Sequence, residues 1–256
     1  VMWLGLSGSG ASFTFDGTKL VLKLKGDNIA VGDNPIDYAR IAVYVDGTRV
    51  VDEMINCAEK EVTVIDRTEN AQSVVEIIKL SESPMSAVGI EAFAEGSAEA
   101  LPEKPLKIEF IGDSITCGYG VDDEDENHQF TTATEDVTKA YAYKTAKALD
   151  AEYSMFSASG YGIVSGYTEG DEPISEQTIP QFYCSYGFSR GNFAGTAPQD
   201  IPWDFSKYIP QIIVINLGTN DDSYCRDHKD RQAVFSKLYA DFLAVVREKN
   251  PQAYIL

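Results

Sequence analysis

The chain has 256 residues, 44% of them hydrophobic and 24% charged, ordinary values for one large or two modest globular units with sizeable cores. Its formal net charge of −19 at pH 7 is not ordinary. Such a surface repels phosphate backbones and anionic lipid, which excludes nucleic acid and membranes as partners and suits a neutral substrate such as a sugar or its ester. No apolar run approaches the roughly 18 residues of a membrane helix.

Residues 1–104 predict an all-β unit. Candidate strands fall at 11–15, 20–24, 41–45, 49–51, 61–65, 73–80 and 88–93. Turn signals separate them, among them Asp16-Gly17, Gly26-Asp27 and the hairpin pair Asp46-Gly47. Short strands at this spacing, with no helix-period segment between them, predict a β-sandwich of jelly-roll type. Residues 95–105, EGSAEALPEKP, read as a linker.

Beyond the linker the pattern becomes strand, helix, strand. Residues 106–111, 153–158, 211–217 and 253–256 read as strands. Val137, Tyr141, Thr145 and Ala148/Leu149 form a helical stripe with Asp136 as its cap. Val234, Leu238, Phe242 and Val245 mark a second helix ending at Asn250-Pro251. This alternation predicts a parallel sheet with helices on its faces, and hence two domains, 1–104 and 105–256. The chain opens at Val1 in strand-like sequence, shows no secretory leader, and stops inside a short strand. It reads as truncated at the C-terminus, and at the N-terminus too.

The first of those strands ends in Gly112-Asp113-Ser114, which offers Ser114 at the carboxyl end of a strand, where open α/β sheets bind ligands. The next ends in Ser159-Gly160 and the third in Gly218-Thr219-Asn220-Asp221. If the strands are parallel, the tips share one crevice. The N–H groups of Ser114 and Gly160 and the amide of Asn220 are then three donors around a serine hydroxyl, the arrangement that a developing oxyanion in acyl transfer requires.

A competing serine, Ser189, lies in Gly187-Phe188-Ser189-Arg190-Gly191, a letter-for-letter G-x-S-x-G, with Asp221 and His228 completing a triad in chain order. The residues after it, GNFAGTAPQD, cannot start the helix a nucleophile elbow needs, so Ser189 reads as a surface-loop serine. The two histidines, His128 and His228, both read as exposed loop residues. The acidic run Asp122 to Glu126 admits a calcium reading beside that of a solvated loop, but without EF-hand spacing. Aromatics from Tyr161 to Trp203 could stack on sugar rings or fill a core. The four cysteines show no zinc spacing and read as free thiols, or with a Cys184–Cys225 bridge.

GDS at 112–114, Gly160 and GTND at 218–221 resemble the first three blocks of the SGNH (GDSL-type) hydrolases. WLGLSGSGASFTFDG, GDSITCGYG, SASGYGI, WDFSKYIPQIIVINLGTND and NPQAYIL together resemble carbohydrate esterase family 2 over essentially the whole chain. The resemblance implies an N-terminal all-β jelly-roll sandwich joined to an α/β SGNH-hydrolase domain with a flavodoxin-like parallel sheet. It implies a secreted esterase, without metal or cofactor, that removes acetyl groups from polysaccharides such as xylan or glucomannan. Ser114 would be the nucleophile, Ser114, Gly160 and Asn220 the oxyanion hole, and Asp113 a supporting residue; Tyr161 and Trp203 are candidate substrate contacts. The family's general base, a histidine in a D-x-x-H-like block after GTND, is expected beyond residue 256. Two rivals remain: an acylhydrolase for longer acyl chains, and a carbohydrate-binding protein with little catalysis.

Overall fold

The computed structural model describes residues 1–256, the Phe93 side chain excepted. The first part of the chain forms β1 (Met2–Leu4), β2 (Gly10–Gly26), β3 (Ala39–Val45), β4 (Thr48–Ile55), β5 (Glu59–Lys79) and β6 (Val88–Ala100). These pair as one antiparallel sheet in the order β1-β6-β2-β5-β3-β4. The Asp46-Gly47 hairpin forms as expected: both residues have positive φ, 50° and 78°, the geometry of a tight two-residue β-turn.

Two expected interruptions are absent. Strands 11–15 and 20–24 are a single strand, β2, running straight through Asp16-Gly17. Likewise 61–65 and 73–80 fall on the single strand β5, which ends at Lys79. Gly17 serves close approach and not a turn, since a Cβ there would lie 2.4 Å from the Glu95 carbonyl oxygen. A register shift between Gly17 and Lys19 changes the parity of the inward positions. Phe13 and Phe15 before it, and Leu20, Leu22 and Leu24 after it, therefore pack in one core. The expected linker 95–105 is also shorter than it reads. Residues 95–100 continue β6, pairing with 13–19 of β2, and only residues 101–106 connect the two sheets. Pairing partners outweigh the Gly and Glu composition of that stretch.

The second part forms β7 (Lys107–Gly112), α1 (Ser114–Cys117), α2 (Tyr141–Ala148), β8 (Glu152–Ser157), β9 (Ile212–Asn216), α3 (Thr219–Cys225), α4 (Lys229–Lys249) and β10 (Tyr254–Ile255). The four strands are parallel in the order β10-β9-β7-β8, the flavodoxin-like arrangement. The stripe read as one helix from 137 is divided. Asp136 caps a 3-10 turn, Val137–Lys139, and α2 starts only at Tyr141.

The two sheets share an interior. Along β3, Ile41 and Val43 face the core of the β-unit, whereas Ala42 packs with Ile78 and Leu80 against Ile108, Phe110 and Ala142 of the α/β unit. A strand buried on both faces explains the unbroken apolar run IAVYV. Ion pairs close the seam. Arg49 reaches the fully buried Asp136 at 2.8 Å and also bonds the Tyr44 and Thr138 hydroxyls. Arg40 joins Asp52 and Asp122, both within 2.9 Å.

Glu109 sits in the middle of β7, accepting a 2.9 Å hydrogen bond from the Tyr183 hydroxyl, which itself accepts one from the Asn250 amide at 2.9 Å. Burial raises its carboxyl from 4.5 to about 7, against the smaller opposing effect of the Tyr183 bond.

Two outcomes follow. Arg49→Ala removes the nearer cation from the buried Asp136 carboxylate, leaving Thr138 and the more distant Lys139, and should cost about 3 kcal/mol of unfolding free energy in denaturant titration. A loss below about 1 kcal/mol would show that the pair behaves as a surface pair. Because the folded Glu109 carboxyl titrates above its unfolded value, its contribution is fully present below pH 4.5 and is lost as pH rises through about 7. Unfolding free energy measured across that window should fall in the natural protein, and Glu109→Gln should flatten the fall and be the more stable protein at pH 8.

Candidate active site

β7 delivers Ser114. Its last residue, Gly112, lies where a Cβ would come within 2.0 Å of the Thr116 hydroxyl, so only glycine lets α1 fold back against the strand end. Asp113 caps α1: its Oδ1 accepts the Ile115 N–H at 3.0 Å. The Asp113 side chain is fully buried and its Oδ2 has no partner among the described residues. Burial, outweighing that bond and reinforced by nearby Asp221, raises its carboxyl above the usual range. Ser114 itself is half-buried, and no described residue hydrogen-bonds its hydroxyl. As the first residue of α1, its N–H has no intrahelical acceptor.

The pairing register puts the neighbouring tips alongside. Gly112 lies opposite Ser157 of β8 and Asn216 of β9, and adjacent strands are about 4.8 Å apart. Gly160, three residues past Ser157, has φ +79°, a left-handed conformation natural to glycine, and nothing lies within 4 Å of where its Cβ would be. Its carbonyl accepts the Tyr167 N–H at 2.8 Å. Its own N–H has no described partner. Asn220, in the first turn of α3, is buried. One N–H of its amide donates to the Tyr161 carbonyl at 2.8 Å, which fixes the amide plane and leaves its second N–H unpaired.

Asp221 is a residue that sequence reasoning placed only in the discarded triad. It is 1% exposed, and its carboxylate accepts the N–H groups of Ile163, Val164 and Ser165 at 2.6–3.2 Å. A Cβ on Gly162 would lie 2.5 Å from that carboxylate. The β9 tip thus clamps the loop that carries Gly160. An acidic residue in the first turn after a strand, with a glycine two positions past Gly160, was the available signal.

The other candidates fall elsewhere. Ser189 is 7% exposed, not a surface-loop residue: its hydroxyl donates to the Met85 carbonyl and accepts the Gly191 N–H at 3.0 Å, and no helix follows it. His128 lies exposed in the acidic loop, 2.8 Å from Asp123, and His228 is exposed at the start of α4. Neither hydrogen-bonds Ser114. In the acidic run, Asp122 pairs with Arg40 and Lys139, while Asp123 and Asp125 accept backbone N–H groups within their own loop. The four cysteines are free thiols. Tyr161 is half-buried against Phe182 and Phe188, and with Tyr183 these fill core, whereas Tyr167 is exposed. Trp203 lines a cavity of about 100 Å³ with Phe156, Tyr186 and the mid-strand Glu109, away from the strand tips.

Residues 110–256 match the GDSL-like Lipase/Acylhydrolase family. The Cellulase/esterase CelE of Acetivibrio thermocellus is 32% identical over 97% of this chain and 28% of its own length. An Acetylxylan esterase / glucomannan deacetylase of Cellvibrio japonicus is 28% identical over 98% of this chain and 65% of its own. The chain thus spans less than two thirds of either relative. A solved family two carbohydrate esterase from Clostridium thermocellum, in complex with cellohexaose, superposes with a TM-score of 0.81 at 28% identity, covering 99% of this chain and 71% of that one. The chain belongs to the GDSL-like lipase/acylhydrolase family, and within it resembles the family two carbohydrate esterases along its whole length.

Proposed function

We propose that the chain carries the acyl-transfer site of a secreted serine esterase that removes O-acetyl groups from plant cell-wall polysaccharides of the xylan or glucomannan type. The observation that carries this reading is the company Ser114 keeps: an unbonded hydroxyl at one strand tip, with the unpaired N–H groups of Ser114, Gly160 and Asn220 on the same and the two adjoining tips. A relative described as an acetylxylan esterase and glucomannan deacetylase supports the substrate class. So does the surface charge, since an acetylated sugar is neutral and the acetate product is an anion that an acidic protein repels.

In this mechanism the Ser114 oxygen attacks the acetyl carbonyl carbon and its proton passes to a base. His128 and His228, where they stand, do not supply it. The carbonyl oxygen becomes the oxyanion held by the Ser114 and Gly160 N–H groups and the Asn220 amide. Collapse expels the sugar hydroxyl, which takes a proton, and water then releases acetate from the acyl-enzyme. Asp113 supports the serine by capping its helix. No cofactor enters. We further read residues 1–104 as a jelly-roll domain and 105–256 as the hydrolase domain, with Tyr161 as a substrate contact beside Asn220; Trp203, in its cavity away from the strand tips, is not counted with it. One comparison favours a second reading, glucan binding at the same cleft, because the Clostridium thermocellum neighbour holds cellohexaose.

In the full-length protein, Ser114→Ala should abolish hydrolysis of 4-nitrophenyl acetate and acetate release from acetylated xylan; retained turnover removes Ser114 as nucleophile. Asn220→Ala should lower kcat about a hundredfold, and a change of only a few-fold would deny it the oxyanion role. Acetate esters should outpace octanoate esters by at least about tenfold; the reverse order would point to longer acyl chains. If Ser114→Ala still retards on soluble glucan in affinity electrophoresis, the cleft binds as well as cleaves.

A further inference from the structure

The segment from β5 to β6 is the most deeply buried connection in the chain, every residue from Ser81 to Ala87 being inside. It is stitched to both units. The Ser81 hydroxyl accepts the Arg40 N–H and the Ser83 hydroxyl donates to the Phe188 carbonyl. The Ser86 hydroxyl donates to Asp27, and the Pro84 carbonyl accepts the Arg190 N–H. In its middle sits Glu82, with 0% exposure.

One Glu82 oxygen accepts the Ser159 N–H at 2.5 Å and the Cys117 thiol at 3.6 Å. Ser159 immediately precedes Gly160, and Cys117 ends the helix that Ser114 begins. A single carboxylate from the β-unit therefore touches both walls of the acyl-transfer site. The Glu82 backbone is itself fixed. Its N–H donates to the buried Glu135 carboxylate at 2.9 Å, and its carbonyl accepts from the ammonium of Lys79, also 0% exposed, at 2.8 Å. The second oxygens of Glu82 and Glu135 have no described partner. Burial raises both carboxyls above the usual range.

We propose that Glu82 is a positioning residue for the oxyanion hole: its carboxyl anchors the backbone at the Ser159 N–H, and so limits where the next peptide, which carries the Gly160 N–H, can point, while holding α1 and Ser114 in register. A buried glutamate is an expensive way to fill space. A short hydrogen bond to a loop N–H one residue before a catalytic donor gives it a purpose, because donors misplaced by even 1 Å lose most of their effect on the transition state. The proposal rests on the reading of Ser114, Gly160 and Asn220 as the site.

The test compares Glu82→Ala, Glu82→Gln and Ser114→Ala in the full-length protein. The readouts are kcat and KM for 4-nitrophenyl acetate, the burst of 4-nitrophenol that counts competent serines, and the affinity for a boronic acid, which mimics the tetrahedral intermediate. Glu82→Ala should lower kcat per competent serine about thirtyfold and weaken boronate binding comparably, with KM within about threefold of wild type. Glu82→Gln, whose amide oxygen can still accept the Ser159 N–H, should recover most of that loss. If Glu82→Ala does not fold, Glu82→Asp, with its reach shortened by one methylene, should show the same loss of kcat at retained KM. Full kcat per competent serine in the alanine variant, or in the aspartate variant used in its place, overturns the proposal, as does a glutamine variant as impaired as the alanine one. An active Ser114→Ala protein would overturn the reading of the site and the Glu82 role with it. An inactive Ser114→Ala beside a fully active Glu82→Ala overturns the Glu82 role alone.

Discussion

Ala42, Ile78 and Leu80 belong to the β-unit by chain and to the α/β unit by packing. A parallel sheet must be covered on both faces. In this molecule α4 and the long insertion after β8 cover one face of β7, while α2 and the β-unit together cover the other. That shared interior fixes the distance and angle between two sheets that have no strand in common. Without it neither the Arg49–Asp136 pair nor the buried segment carrying Glu82 would meet its partners.

The site shows the same economy on a smaller scale. Each of its three elements is a loop at the end of a strand, and loops alone hold geometry poorly. Here each is tied to another. Asp221 from the β9 tip accepts three N–H groups of the β8 loop, and the Asn220 amide donates to that loop's Tyr161 carbonyl. Gly112 brings α1 hard against β7. The N–H groups proposed as oxyanion donors are therefore held by bonds that do not use them, as the preorganisation of an acyl-transfer site requires.

Much of this could be read from the residues. The strands of the parallel sheet, the helix α4 and the placement of Ser114, Gly160 and Asn220 at strand tips followed from apolar runs, helical spacing and glycine turns, whereas the stripe from Val137 is divided and the short helices α1 and α3 show no period. The Asp46-Gly47 hairpin followed from two residues that tolerate positive φ. What could not be read depends on partners distant in sequence. Gly17 looks like a turn until Glu95 is seen pressed against it, and residues 95–100 look like a linker until β2 pairs with them. Glu82 carries no local pattern that distinguishes it from a surface acid, and the signal at Asp221, its place in the first turn after a strand, gains meaning only from the N–H groups that arrive from residues 163–165. Ser189 failed as an elbow for a reason legible in sequence, yet its burial beneath Met85 was not.

The connection between the sheets, residues 101–106, has no fully buried residue, and only Leu106 of it packs against the shared core. It crosses no gap, because the surfaces it joins are already in contact through Ile78, Leu80 and Phe110. The covalent boundary and the physical one are therefore different places. Cutting the backbone at 101–106 would divide the polypeptide without dividing its interior, and recombination that exchanged one sheet for a foreign one would lose the α/β unit's lining along with its neighbour.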